Sequence, residues 1–464
     1  MKNRLIFCLI WLLITSQTLL AQDTYQVPVR DKTSPDNVYA ETLPEGVMLL
    51  VRHFQSFELI LLDNNFQVQK SAFLENAEDR RDYLGMRETA DQYIIYFDRD
   101  AVRDYVEIVS IDKGTFEPKS RPFYPDVDGY FPIQSFVLEN DFFSVSMSRK
   151  QKKLRILRSF GEEETHVFTF DMDKRALRQI NRLSVPIMAV KDESAGTSRP
   201  ITERGQTPNI LQVSRRQHFY LDDQDQLMLT NDRQGMYRSD LLIYRFKMEP
   251  DKPGASEFTT QLLSRVNAED IWKNPTSYIY DNHLYSLVIG REQVLLEVYE
   301  LNTLKRVASL NSMATDPTKS IKPDALFQER MHAFFGRDDD VITGERRVKR
   351  WLTRGLPGLI VAEKADHLEL TIGTYIFDEG GETRVVNSTQ RYYRVKLDKT
   401  NFNSLGKSDS FERTDDQTMF FARNRLDESS YRRSYTLFRK DGVDYFGYQS
   451  RGENSYTIMP FTLN

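Results

Sequence analysis

Cysteine is nearly missing from this 464-residue chain: the one copy, Cys8, lies inside an apolar stretch at the amino end. A disulfide framework is therefore excluded, and stability must come from a sizeable hydrophobic core. A lipid-attachment cysteine would instead stand first after a cleavage site. Long apolar runs are also missing: after Gln22 none approaches the ~20 residues that a membrane-spanning helix needs. The six histidines stand far apart, with no H-E-x-x-H or clustered ligand set, so the sequence nominates no metal and no cofactor. There is no G-x-S-x-G nucleophile elbow, which removes the signature of a propeller fused to an α/β-hydrolase. Nor is there a surplus of positive charge. The formal net charge is −5, which disfavours nucleic acid and anionic membrane surfaces as non-specific partners.

What is present begins with Lys2 and Arg4, an unbroken apolar run from Leu5 to Ile14, and a polar stretch ending at Ala21 and Gln22. This is the pattern of a secretory signal peptide over residues 1–21, and its LLAQ ending resembles those of Bacteroidota-type bacteria. The reading predicts an exported protein, periplasmic or extracellular, that does not insert in a membrane after cleavage. Losing Lys2 and Arg4 would leave the remainder still more acidic.

Beyond residue 40 a module recurs seven times: a β-type run, a short polar loop, a second β-type run, and a turn closed by an apolar residue. VMLLVRH with FELILLDNNF, and QYIIYFDRD with DYVEIVSIDKGTF, are the clearest copies. FFSVSMSRKQKKLRIL, QLMLTNDRQGMYRSDLLIYRF, HLYSLVIGREQVLLEVYELNTL, GLIVAEKADHLELTIGTYIF and TMFFARNRLDESSYRRSYTLFRKDG continue the series. Each is rich in Val, Ile, Leu, Phe and Tyr and bounded by turn formers, as strands are. The turn after the second run repeats too, at Asp63, Asp112, Asp171, Asn302 and Asp398. Asp and Asn there bond the backbone ahead of them and tolerate left-handed geometry.

Repetition of a strand-rich unit at this spacing resembles β-propeller repeats in general. The resemblance covers most of residues 22–464 and implies an all-β chain: one β-propeller domain of about seven blades, with six to eight as the range. No subfamily box accompanies it, since the Trp-Asp, kelch and sialidase signatures are all missing. Circular closure would use the C-terminal YTIMPFTL or the N-terminal arm. Two stretches interrupt the repeat, at about 185–212 and 312–357. The second contains PDALFQERMHAFF and GERRVKRWLTRG, whose apolar spacing predicts a small helical insertion near residues 321–354.

Candidate functional residues are few. Asp126-Val127-Asp128-Gly129 starts like a calcium loop without completing it, and Asp222, Asp223, Asp225 and Asp338 to Asp340 are similar acidic groups that an ordinary Asx turn also explains. In the second insertion Arg346, Arg347, Lys349, Arg350 and Arg354 surround Val348, Trp351 and Leu352. Such a run is either a solvated helix face or a clamp for an anion or partner. Finally, each module carries a basic residue near the end of its first run: Arg52, Arg99, Arg149, Arg233, Arg291, Lys364 and Arg423. Equivalent loops of a propeller share one face, so these would form a basic face that binds an anionic partner. Local pairs with Asp98, Asp104, Asp232, Glu292 and Glu363 are the other explanation. Together these features predict a non-catalytic binding or scaffold propeller that recognises a protein or carbohydrate partner, including an anionic one. The alternative is a polysaccharide hydrolase or lyase with carboxylates in a central channel.

Overall fold

The computed structural model describes residues 24–30, 37–53, 56–74, 81–99, 106–124, 129–138, 140–159, 165–173, 176–177, 180, 217–221, 226–232, 240–249, 257–264, 274–290, 293–332, 336–380, 385–408, 435–449 and 454–461. It divides into two compact units, Met1–Tyr124 with Asp415–Asn464, and Pro125–Thr414.

The first unit opens with β1 (Tyr25–Pro28), followed by a sheet of β2 (Asn37–Leu43), β3 (Gly46–Arg52), β4 (Phe57–Asp63) and β5 (Val68–Leu74). A second sheet contains β6 (Arg81–Glu88), β7 (Gln92–Arg99), β8 (Val106–Asp112) and β9 (Pro118–Phe123). Both are antiparallel meanders in sequence order. The runs in the middle of these sheets contain unbroken apolar stretches, such as Val47–Val51 and Leu59–Leu62, because both of their faces are covered. Met48 and Leu50 of β3 pack with Tyr93, Ile95 and Phe97 of the second sheet. Their neighbours Val47, Leu49 and Val51 pack with Phe438, Tyr456 and Ile458 from the end of the chain.

In the second unit come β10 (Phe131–Leu138), β11 (Asp141–Ser148), β12 (Lys153–Ser159) and β13 (Thr165–Asp171), then β14 (Gln217–Leu221), β15 (Leu227–Asp232), β16 (Asp240–Lys247) and β17 (Glu257–Ser264). A third sheet holds β18 (Asn274–Tyr280), β19 (His283–Ile289), β20 (Val294–Glu300) and β21 (Arg306–Asn311). The largest has six strands: β22 (Ala325–His332), β23 (Gly336–Thr343), β24 (Leu356–Glu363), β25 (Leu368–Gly380), β26 (Val385–Leu397) and β27 (Ser404–Lys407). Here β24, β25, β26 and β27 make the meander, while the hairpin β22–β23 pairs with the upper part of the same β26 edge that β27 uses lower down. An α-helix, α1 (Glu345–Leu352), lies between β23 and β24.

The last sheet belongs to the first unit again: β28 (Tyr435–Lys440), β29 (Val443–Gln449) and β30 (Ser455–Phe461), completed by β1. Tyr25 pairs with Ile458 and Pro28 with Ser455, so the N-terminal arm and the C-terminal strand, each a candidate for closure, complete one sheet together. The seven antiparallel sheets of at least four strands among the described residues, with middle strands covered on both faces, are the architecture of a multi-blade β-propeller.

The repeated turn has a common hydrogen-bond plan. At Asp112 the side chain accepts from Thr115 N at 2.7 Å and the carbonyl from Phe116 N at 2.8 Å. At Asp398 the side chain accepts from Thr400 N and Asn401 N, and the carbonyl from Phe402 N at 3.0 Å. The closing residue of each such turn adopts positive φ: 58° at Phe66, 60° at Phe116, 53° at Leu304 and 57° at Phe402. At Phe66, Phe116 and Phe402 burial of the ring holds a non-glycine residue in this unfavourable region.

Four expectations change. PDALFQERMHAFF forms β22 rather than a helix, because an unpaired β26 edge offers it a full ladder of backbone partners, and tertiary pairing overrides its helical spacing. Asp171 ends the outermost strand of its sheet instead of the third, and the turn chemistry shifts to Asp173, whose side chain accepts from Ala176 N at 2.7 Å. In the Asn302 turn, Glu300 takes the Asp role, its carbonyl accepting from Leu304 N at 2.9 Å. The seventh sheet is built from YTLFRK, VDYFGYQ, SYTIMPF and YQVP, one run later than the module boundary predicted. TMFFARN lies outside the described residues, as does the whole stretch 185–212.

Candidate functional site

The richest grouping of chemistry in the second unit surrounds α1. No Gly or Pro interrupts Glu345–Leu352, and Val348 and Leu352, one turn apart, are both buried. The first turn carries Glu345 and the last Lys349 and Arg350, complementing the helix dipole. Thr353 closes the helix, its N–H donating to Lys349 O at 3.2 Å and its hydroxyl to Arg350 O at 3.0 Å. The chain then leaves through Gly355, at φ 105°, where a Cβ would stand 2.6 Å from Tyr375 O.

Trp351 is half-buried against the core of this sheet. The guanidinium of Arg391, itself buried, lies 4.0 Å from its ring centre, and those of Arg354 and Arg350 lie 5.1 and 6.0 Å away. Arg391 belongs to β26, and its Nε donates to Gln328 Oε1 of β22 at 2.7 Å. The inserted hairpin therefore holds the arginine that holds the tryptophan, and the tryptophan orients the helix.

Along α1, Arg346, Arg347 and Arg350 are exposed, as is Arg354 just beyond its end. None of the four has an ion-pairing carboxylate among the described residues. Glu345 is already engaged, with Lys349 Nζ at 3.1 Å and Lys322 Nζ at 3.4 Å. Hydrogen bonds from Lys349 and then Lys322 hold its carboxyl below the ordinary range. Beneath these charges is a shallow pocket with an apolar floor of Ile289, Val294, Pro323 and Leu352 and a polar wall of Gln293 and Ser312. Exposed Met313 stands beside it, its sulfur 3.8 Å from Lys349 Nζ.

The predicted basic face is partly located. Arg52 and Arg99 end the second strands β3 and β7 of their sheets in the first unit. In the second unit Arg149 is exposed in the turn between second and third strands, β11 and β12. Lys364 follows β24, the first strand of its sheet, and its N–H donates to His367 O across the turn into β25. Successive turns of a meander alternate ends, so Lys364 lies at the opposite end of its sheet from Arg149. The reason is that GLIVAEK is an inner first strand, whereas the corresponding runs of the other located modules are second strands. Arg233, Arg291 and Arg423 lie outside the described residues, as do Asp126, Asp128, Asp222, Asp223 and Asp225. Gly290 and Gln293, which stand between the described ends of β19 and β20, both line the α1 pocket. A second-to-third-strand turn and the basic helix, predicted separately, thus meet at one place.

No group of His, Cys, Asp and Glu suited to a metal occurs among the described residues. Among those residues the carboxyls with displaced titration, Asp112, Asp316, Glu345, Glu363, Asp366 and Asp398, are all lowered, each by hydrogen bonds that it accepts. Buried Asp232 accepts from Ser277 Oγ at 2.8 Å, linking β15 to β18. Arg391 escaped sequence reasoning: it stands far from α1 along the chain, and its one local sign is a charge within the otherwise bulky strand RYYRVKL.

No family profile and no curated protein matches the chain. Solved structures with a similar fold include an oligogalacturonate lyase in complex with manganese, 9% identical, covering 95% of this chain and 96% of that one at a TM-score of 0.36. A prolyl endopeptidase is 10% identical over 90% of this chain, with a TM-score of 0.32; the chain spans 55% of its length. The WD40 domain of SCAP from fission yeast is 8% identical, covering 92% and 82% of the two chains at a TM-score of 0.31. At such identities the likeness concerns the fold and carries no chemistry across.

Proposed function

We propose that the chain is an exported, non-catalytic binding or scaffold propeller that recognises an anionic partner, periplasmic or extracellular, through the basic surface of α1. The observation that carries this reading is the set of four exposed arginines, Arg346, Arg347, Arg350 and Arg354, left without acidic partners among the described residues of a chain whose net charge is negative. Arginine presents a planar fork that matches carboxylate, sulfate or phosphate two oxygens at a time. In a chain of negative net charge, such a patch also steers an anion to one place. The helix is fixed by buried Val348 and Leu352 and by the Trp351–Arg391 stack, so the forks stand on a rigid support. Arg149, in a turn of the second-to-third-strand type, belongs to the same proposal as a secondary contact.

The test is retention of the purified protein on immobilised polyanions. Retention that falls with salt and is lost in an R346E/R347E/R350E/R354E variant with an unchanged circular dichroism spectrum supports the reading. Equal retention of variant and parent, or none by either, overturns it.

A further inference from the structure

We propose that the α1 site takes an acidic polypeptide segment carrying one apolar side chain among its carboxylates. This rests on the anionic-partner reading and narrows it to one class of macromolecule.

Three features favour a polypeptide. Arg346 and Arg350 form a short row on α1, one turn and about 6 Å apart at 1.5 Å per helical residue. In an extended peptide alternate side chains share one face about 7 Å apart, so Glu or Asp at every second position meets this row. Arginine clusters of this kind are a recurring means of capturing acidic segments. Secondly, Met313 is 57% exposed beside α1, its sulfur 3.8 Å from Lys349 Nζ, and offers an apolar contact on the same surface. An unbranched thioether adapts to whatever apolar side chain packs on it. Thirdly, the aromatic ring of the site is already in use, since Arg391 and Arg354 both lie against Trp351. It offers no open platform for a sugar ring, which is what a glycan site would require.

The decisive experiment is calorimetric titration of the purified protein with three probes: a peptide of alternating Glu and Ser with one central Leu, the same peptide with that Leu replaced by Ser, and polygalacturonate. The Leu peptide should bind, and loss of its Leu should weaken it about tenfold. R346E/R350E should weaken both peptides at least tenfold, while M313E should abolish the difference between them. Both substitutions are at exposed positions, and an unchanged thermal midpoint verifies the fold. Binding of polygalacturonate without either peptide overturns this proposal and leaves the anionic-partner reading standing. Failure of all three probes overturns both, and peptide binding indifferent to R346E/R350E removes the site.

Discussion

Gln328 and Arg391 stand directly opposite each other on paired strands β22 and β26, and Arg391 Nε donates to Gln328 Oε1 at 2.7 Å while its guanidinium covers Trp351. Both residues are buried. Removing one partner leaves a desolvated polar group, whereas removing both does not. R391L should therefore lower stability by about 2–3 kcal/mol, combining the unpaired amide with the lost cation–π contact. Q328L/R391L should recover a large part of that loss. Urea unfolding of the two variants, compared at equal m-value, tests the expectation; a double variant less stable than the single one contradicts it.

The turn-closing aromatics make an unusual prediction about glycine. Phe402 is buried at φ 57°. F402A loses the ring and retains the left-handed strain, costing about 3–5 kcal/mol. F402G loses the same ring but relieves strain of about 1 kcal/mol. Glycine should accordingly be the milder substitution here, the reverse of its usual rank in a structured segment. Thermal denaturation of the two variants decides the order.

These turns also set the acid response. Asp112 and Asp398 are held below the ordinary carboxyl value of 3.8 by hydrogen bonds from backbone N–H groups within their own turns, Thr115 at Asp112 and Asn401 and Thr400 at Asp398. A carboxyl with a lowered folded-state pKa stabilises the fold above its unfolded value. That contribution disappears as pH falls through the folded value. D112N/D398N should flatten the decline of melting temperature below about pH 4 relative to the parent. Parallel curves for the two proteins would show that the turns do not contribute.

The N-terminal arm is structural. Val27 and Val29 are buried, and Val29 N donates to Asn454 O at 2.9 Å. A chain that begins at Lys32 loses the outer strand of its C-terminal sheet and should be about 3–6 kcal/mol less stable, at about 1.5–3 kcal/mol for each buried valine. Cleavage after Ala21 would leave this strand whole. Equal urea midpoints for the shortened and complete chains would refute the assignment.

Much of the fold was legible because a propeller writes its repeat into apolar runs and Asp turns, and β3, β4, β7, β8, β11, β15, β16, β19 and β20 fall where those runs lie. What misled was local period without its setting. The spacing of Leu326, Phe327 and Met331 suits a helix face, yet a free β26 edge turned the segment into β22. Likewise GLIVAEK has the look of a second strand, and its place as a first strand depends on pairing that no local window contains. At the candidate site the arginines of α1 were evident as a charge run. Their support was not, since Arg391 and Gln328 meet only through a strand pairing that joins distant segments.

The pairing of β1 with β30 has a temporal side. Thr457 donates to Gln26 across 431 residues of sequence, so the sheet that contains both is unfinished until β30 has been made. Until then Tyr25–Pro28 has no partner strand and the neighbouring faces of β3 and β4 stay wet. Contacts of such separation form slowly. In a cell, completion of this sheet would be a late, post-synthetic event, and the waiting edge is where an escorting chaperone would have most to do.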